Sequence, residues 1–374
     1  MAPSLPTPAK ELHRRIALQI RAQGAVTLAD FMRLALSLRE LGYYTSRDPL
    51  GGEGDFITAP EISQMFGEMV GFWCVDTWQR LGSPGQLHLV ELGPGRGTLM
   101  ADALRAARVV PDFLAAIDVH LVEISPPLRA IQAQQLQAYH PQWHESIETL
   151  PAGPLLIIAN EFFDALPIHQ YEMTASGWRE RGVTVHVGAE AADTAADTFA
   201  WVLLPPGPQL ALLPPSLREA PIGAVTEVSP ASQRILGLLA RRCAEENGAA
   251  LIIDYGPAAS GFGDTFQALR RHQYHDPLKD VGDADLTAHV DLATLCRVAV
   301  DAGTRSFGPI DQGDFLRALG IETRATLLAQ RHGAEMAQEI DVALHRLIDA
   351  EQMGKLFKAV AIAPRSVTEL AGFA

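Results

Sequence analysis

The chain has 374 residues, 48% of them hydrophobic and 20% charged, enough for one large domain or two modest ones whose core needs no staples. Thirty basic residues against 44 acidic ones leave a formal charge of −14, which argues against a phosphate-backbone footprint and so against a nucleic-acid partner. Cys74, Cys243 and Cys296 stand far apart without a Cys-x-x-Cys pair, which fits a reducing compartment and excludes a cysteine-rich zinc module; no apolar run is long enough for a membrane span.

Residues 8 to about 86 read as mostly helical. Leu12, Ile16 and Ile20 recur at helical spacing, so Lys10, Arg14, Arg15 and Arg21 belong to an amphipathic helix rather than to a transit peptide. Thr27 with Asp30 three residues on predicts a capped helix start. A glycine-rich loop from Gly42 to Thr58, with aromatics, Asp and Thr interleaved, reads either as a flap over a ligand or as a plain surface loop.

The stretch Leu87-His88-Leu89-Val90-Glu91-Leu92-Gly93-Pro94-Gly95-Arg96-Gly97-Thr98 is the most informative. An apolar strand ends in an acid, and three glycines follow at alternate positions, as expected where a strand turns tightly into a helix and backbone must approach a ligand. A dinucleotide fingerprint would place its third glycine at Thr98. The spacing instead resembles motif I of class I S-adenosylmethionine (SAM) methyltransferases. A carboxylate suits the ammonium and sulfonium of SAM, whereas it would repel a pyrophosphate. Asp118 to Glu123 forms a second apolar run ending in an acid, the position that takes ribose hydroxyls in doubly wound sheets. The alternatives are an ordinary tight turn and a solvated strand-end acid.

Pro154 to Ala159 is the fourth predicted sheet strand and Ala249 to Ile253 the fifth, both continuous apolar runs covered on two faces. Between them, Trp178 to Val187 looks like hairpin material, and residues 188 to 221 are alanine- and proline-rich, an insertion with a poorly ordered edge. A helical region runs from about Gln312 to 350, and Leu356 to Ile362 is the last strand. Glu91, Glu123, Asn160 to Asp164 and Asp254 all sit at strand ends, where open α/β sheets bind ligands. Asn160, Glu161 and Asp164 are the catalytic candidates, with Phe162 and Phe163 as apolar walls for a planar or cationic acceptor. Carboxylates there would orient a guanidinium and localise its charge; a capped helix start is the alternative. Glu227 is a further candidate, with a solvated acid as the favoured reading. No metal is expected: His272-x-x-His275-Asp276 lacks a strong ligand spacing, and Pro141 separates His140 from His144.

Together these segments resemble the MidA family of SAM-dependent methyltransferases, tied in mitochondria to respiratory complex I assembly. The resemblance covers roughly residues 10 to 364 and is carried by residues 54 to 67, 91 to 100, 122 to 126, 160 to 167, 254 to 256, 285 to 291 and 353 to 358. It implies an α/β, Rossmann-like, seven-stranded class I methyltransferase fold with a helical N-terminal cap and an inserted subdomain. The expected division is a cap with its flap (1–86), a first part of the SAM core (87–165), the insertion (166–245) and a second core part with a helical substrate side (246–374).

The resemblance also implies protein-arginine methylation, with symmetric dimethylation of a complex I subunit. By it, Glu91, Gly93, Gly95 and Gly97 would hold the methionine end of SAM and Glu123 the ribose. Asp55, Phe56 and Thr58 would close over the cofactor, and Asp254 and His289 would face the substrate. The short stretch before the shared region suggests a bacterial, cytoplasmic member of a family whose eukaryotic relatives work in the mitochondrial matrix. A homodimer stays open. So do a small-molecule SAM methyltransferase and a SAM-binding assembly factor without turnover.

Overall fold

A computed structural model describes residues 7–46, 58–186, 197–331 and 333–373. They form two compact units, the first built from 7–46, 164–232 and 260–289, the second from 58–163, 233–259 and 290–373.

The second unit is organised on a seven-stranded sheet in the order Thr304–Asp311, Phe357–Pro364, Ala249–Tyr255, Leu155–Asn160, Leu87–Leu92, Ile117–Val122, Gln142–His144. From Ala249–Tyr255 to Gln142–His144 all pairs are parallel, and Phe357–Pro364 runs antiparallel to both of its neighbours. The expected seven-stranded α/β architecture is present. Leu87–Leu92, Leu155–Asn160 and Ala249–Tyr255 are buried at every residue, which explains why they show as unbroken apolar runs rather than as alternation. Two strands were not anticipated. Gln142–His144 is short and polar at an edge, and Thr304–Asp311 mixes polar residues with Gly308 and Pro309.

Helices Gln64–Arg80 and Thr98–Ala106 cover one face and approach closely; a Cβ on Gly71 would lie 2.6 Å from the Ala103 carbonyl oxygen. Buried Glu68 braces this layer, accepting from Arg105 at 3.1 Å and from both Nε and Nη2 of Arg324 at 2.6 and 2.8 Å.

In the first unit, strands Val26–Thr27, Gly177–His186, His169–Thr174 and Val225–Val228 form a sheet in that order, with Thr198–Leu204 also paired to Gly177–His186. The stretch expected as hairpin material, Trp178 to Val187, is over its described residues one strand, Gly177–His186, whose hairpin partner His169–Thr174 precedes it. Thr198–Leu204 corrects the reading of 188–221 as merely alanine- and proline-rich: Phe199, Trp201 and Leu203 alternate along a regular strand. Of that stretch, 188–196 lies outside the described residues, and beyond the strand, Pro208–Leu212 and Pro215–Leu217 form short 3-10 turns. Helices Pro8–Gln23 and Leu28–Ser37 bury Leu12, Ile16, Phe31 and Met32 in one core with Val183 and Phe199. Thr27 Oγ1 accepts from the Asp30 N–H at 3.1 Å, the predicted cap.

Candidate active site

The strand Leu87–Leu92 delivers Glu91 to the mouth of the glycine turn. Gly93, Gly95 and Gly97 have φ of +58°, +54° and +84°, left-handed values that cost an L-residue about 1–2 kcal/mol each. Space adds to this: a Cβ on Gly93 would stand 3.0 Å from Cδ2 of Phe162. Bare backbone is therefore required here both by conformation and by the neighbouring ring. Thr98 opens the following helix and donates its hydroxyl to Glu61 Oε1 at 2.6 Å.

Glu91 is buried, and burial pushes its carboxyl up to about 8, with the nearby Glu123 charge adding to the shift and the Met100 backbone N–H opposing it. Its Oε2 has no hydrogen-bond partner among the described residues. A buried carboxyl with an acceptor oxygen unengaged among the described residues, beside bare glycine backbone, supplies the acceptor and counter-charge that an ammonium or sulfonium requires, so these residues fit SAM. Glu123 is also buried and raised by that burial, while hydrogen bonds hold it in place. Its Oε1 accepts from the Ser125 N–H at 2.8 Å and its Oε2 from Gln132 Nε2 at 3.2 Å.

Gln132 was missed by sequence reasoning. Its Nε2 also donates to the Gly95 carbonyl at 2.7 Å, while its Oε1 accepts from Trp143 Nε1 at 2.9 Å. One fully buried amide thus ties the glycine turn to the second acid. Nothing in the local pattern marks it, because Gln132 sits in an unremarkable helix, Pro126–Gln135, 37 residues beyond Gly95.

The loop after Leu155–Asn160 begins with Asn160, whose Oδ1 is buried without a partner among the described residues. Glu161 adopts φ +50°, a strained position for a side chain other than glycine, and such strain collects at functional sites. Its N–H donates to the Ile253 carbonyl at 2.9 Å, and its Oε1 accepts from the Ala59 N–H at 3.1 Å and from Asn160 Nδ2 at 3.2 Å. Phe162 is half-buried against the glycine turn, whereas Phe163 is buried and meets it edge-on at 5.3 Å. Asp254 is fully buried; one oxygen accepts from the Phe163 N–H and the other from the Tyr255 N–H, each at 2.9 Å. Thr58 precedes the short helix Ala59–Ile62 without a side-chain capping bond, and Asp55 and Phe56 lie outside the described residues.

Asp164 and His289 belong to the other unit. There the Asp164 carbonyl accepts from the Ala288 N–H at 3.1 Å. Tyr44 donates to Asp285 at 2.8 Å, and its phenol is raised by burial and by the charges of Asp285 and Asp164. The His289 N–H donates to Thr265 Oγ1 at 2.9 Å, and burial lowers its imidazole. Glu227, expected as a solvated acid, is instead engaged: it accepts from Gln170 Nε2 at 2.8 Å and from the N–H and hydroxyl of Thr265 at 2.9 and 2.5 Å. Antiparallel pairing of Val225–Val228 with His169–Thr174 sets Glu227 opposite Gln170, a placement invisible along the chain.

The family model described as "Putative S-adenosyl-L-methionine-dependent methyltransferase" matches residues 69–310. The mitochondrial protein arginine methyltransferase NDUFAF7 homolog of Drosophila melanogaster is 38% identical, with 97% of this chain and 88% of that protein covered. The Homo sapiens NDUFAF7, a mitochondrial protein arginine methyltransferase, is 35% identical, with 96% and 84% covered. A Burkholderia thailandensis protein solved with S-adenosyl-homocysteine bound superposes with a TM-score of 0.82 at 26% identity, covering 99% of this chain and 97% of that one. The strand-end acid, the left-handed glycine turn and these relatives agree, and the chain belongs to this family of SAM-dependent methyltransferases.

Proposed function

We propose that the chain methylates arginine side chains of a protein, the activity for which its NDUFAF7 relatives are named. The observation that carries the reading is Glu161: a carboxylate on a left-handed residue at the end of a central parallel strand, one position from the buried amide oxygen of Asn160, which has no partner among the described residues. SAM, when bound, supplies an electrophilic methyl carbon on its sulfonium. Glu91 and the backbone of Gly93, Gly95 and Gly97 would hold its methionine end, and Glu123, positioned by Gln132, its ribose. Glu161 would accept two N–H groups of the acceptor guanidinium, drawing positive charge toward them and leaving the third nitrogen an electron pair directed at the methyl carbon. Phe162 would form the apolar wall of that site.

The finer reading takes the acceptor to be a subunit of respiratory complex I, the product to be symmetric dimethylarginine and the setting to be the bacterial cytoplasm. The test is transfer of labelled methyl from SAM into proteins of an extract lacking this enzyme, followed by acid hydrolysis. Label in dimethylarginine of one protein, absent with Gly95→Val and with Glu161→Gln but with SAM affinity kept in the latter, is the expected result. Label only in small molecules overturns it.

A further inference from the structure

The first unit carries a groove of about 530 Å³ that shares no residue with the site above. Trp201 and Leu203 line it from strand Thr198–Leu204, Arg181 from the strand paired with it, Glu172 from the strand beyond, and Asp264 and Phe266 from the segment after Ser260. Arg181 is already anchored: its Nε donates to Glu172 at 2.9 Å, and its Nη1 donates to Asp264 at 2.6 Å and to Gln170 Oε1 at 3.0 Å. Two carboxylates thus face one guanidinium, leaving the lining acidic by one charge. Asp264 Oδ1 also accepts from Gln170 Nε2 at 2.8 Å, but a carboxylate oxygen can accept more than one bond, and the side chains of Glu172 and Asp264 are 29% and 52% exposed to solvent.

The apolar part of the groove has its own geometry. Trp201 and Phe266 meet at 89° with ring centroids 6.1 Å apart, which makes a corner of two π surfaces. Trp201 and Leu203 remain 44% and 42% exposed and line the same groove, so their apolar area is contiguous rather than scattered. They lie two residues apart and so point to the same side of their strand. Among the described residues that strand pairs with Gly177–His186 alone.

From this combination we infer that the groove docks an extended, basic segment of the protein substrate, with an arginine or lysine side chain stacked on Trp201 and bonded to Glu172 and Asp264. Carboxylates beside an aromatic corner select a cation over a neutral or acidic side chain. An extended segment laid along Thr198–Leu204 would place alternate side chains at Trp201 and Leu203, the pattern by which sheet edges read peptides. The chain's charge of −14 favours encounter with a basic partner. The inference rests on a protein being the acceptor, but it concerns recognition rather than transfer.

The test uses the full chain and two fluorescein-labelled hexapeptides, one alternating Arg and Gly and one alternating Gln and Gly, read by fluorescence anisotropy without SAM. We expect the Arg peptide to bind, to weaken steeply with salt, and to bind about fivefold more weakly to Trp201→Ala and to Glu172→Gln, while the Gln peptide does not bind. SAM affinity and melting temperature should be unchanged in both variants, which guards against a folding defect. Equal binding of the two peptides, or unchanged Arg-peptide affinity in both variants, overturns the groove. Its failure is separable from that of arginine methylation. Label entering protein arginine equally with wild type and Trp201→Ala removes the groove and keeps the methylation; specific Arg-peptide binding with no protein label does the reverse.

Discussion

The Phe163 backbone N–H donates to the carboxylate of Asp254 at 2.9 Å, so the loop leaving one parallel strand is tied to the end of its neighbour. The other Asp254 oxygen holds the Tyr255 N–H, and the residue is fully buried. Asp254→Ala should therefore strand two backbone donors and cost about 2–6 kcal/mol, since each orphaned buried group costs about 1–3. Urea denaturation would measure it. A loss under about 1 kcal/mol would mean that water replaces the carboxylate and that the loop is not braced in this way.

Glu91 makes cofactor binding depend on pH. Its folded carboxyl lies near 8, above the ordinary carboxylate value, so between about pH 4.5 and 8 the folded chain holds a proton that the unfolded chain has released. This group's contribution to stability accordingly falls as pH rises through that window. A cationic ligand needs the ionised form, so SAM affinity should rise up to about tenfold from pH 6 to 7. Calorimetric titration at both pH values checks this, with Glu91→Gln expected to bind weakly and without pH dependence. An affinity that is flat in the wild type would remove Glu91 from the cation site.

Gln132 should matter as much as the acids it holds. Gln132→Leu leaves the Gly95 carbonyl, Glu123 Oε2 and Trp143 Nε1 without their shared partner. We expect roughly tenfold weaker SAM binding together with a destabilisation of about 2–4 kcal/mol. Gln132→Glu is the informative companion, because it keeps the size and the acceptor for Trp143 but sets a second carboxyl against Glu123. If both variants bind SAM like the wild type, the amide is not what positions Glu123.

Three histidines on adjacent strands form a hydrogen-bonded row. His88 Nε2 lies 3.1 Å from the Ala152 carbonyl, His88 Nδ1 3.1 Å from His120 Nε2, His120 Nδ1 3.0 Å from His144 Nε2, and His144 Nδ1 3.0 Å from Thr149 Oγ1. A carbonyl only accepts, so when all three rings are neutral each Nε2 carries the hydrogen and donates in turn. Burial holds His120 down to about 4, helped by its two histidine neighbours, and burial also lowers His144. A lowered histidine contributes stability that is complete above its unfolded value near 6.5 and lost as pH falls through the folded one. Wild-type stability should drop between pH 6 and 4 more steeply than that of His120→Gln, by chemical denaturation at each pH. Parallel curves would show that the row does not titrate with unfolding.

Much of this was legible along the chain. Leu155 to Ala159 and Ala249 to Ile253 announce buried parallel strands because every residue must be apolar when both faces are covered. The glycine turn is equally local: its φ values are set by residues that touch one another in sequence. Gln142–His144 and Thr304–Asp311 were not legible, since short or mixed strands at the sheet margin carry no periodic apolar signal.

What tertiary structure alone decided is which polar groups meet. Gln132 reaches Gly95, Asp254 reaches Phe163 across 91 positions, and the three histidines align only because their strands are neighbours. Trp201 shares a groove with Glu172 and Asp264 for the same reason. Composition and periodicity determine which segments become strands and helices, because backbone geometry and burial act over a few residues. Partnership between buried polar side chains depends on sheet order and register, which the whole chain settles at once.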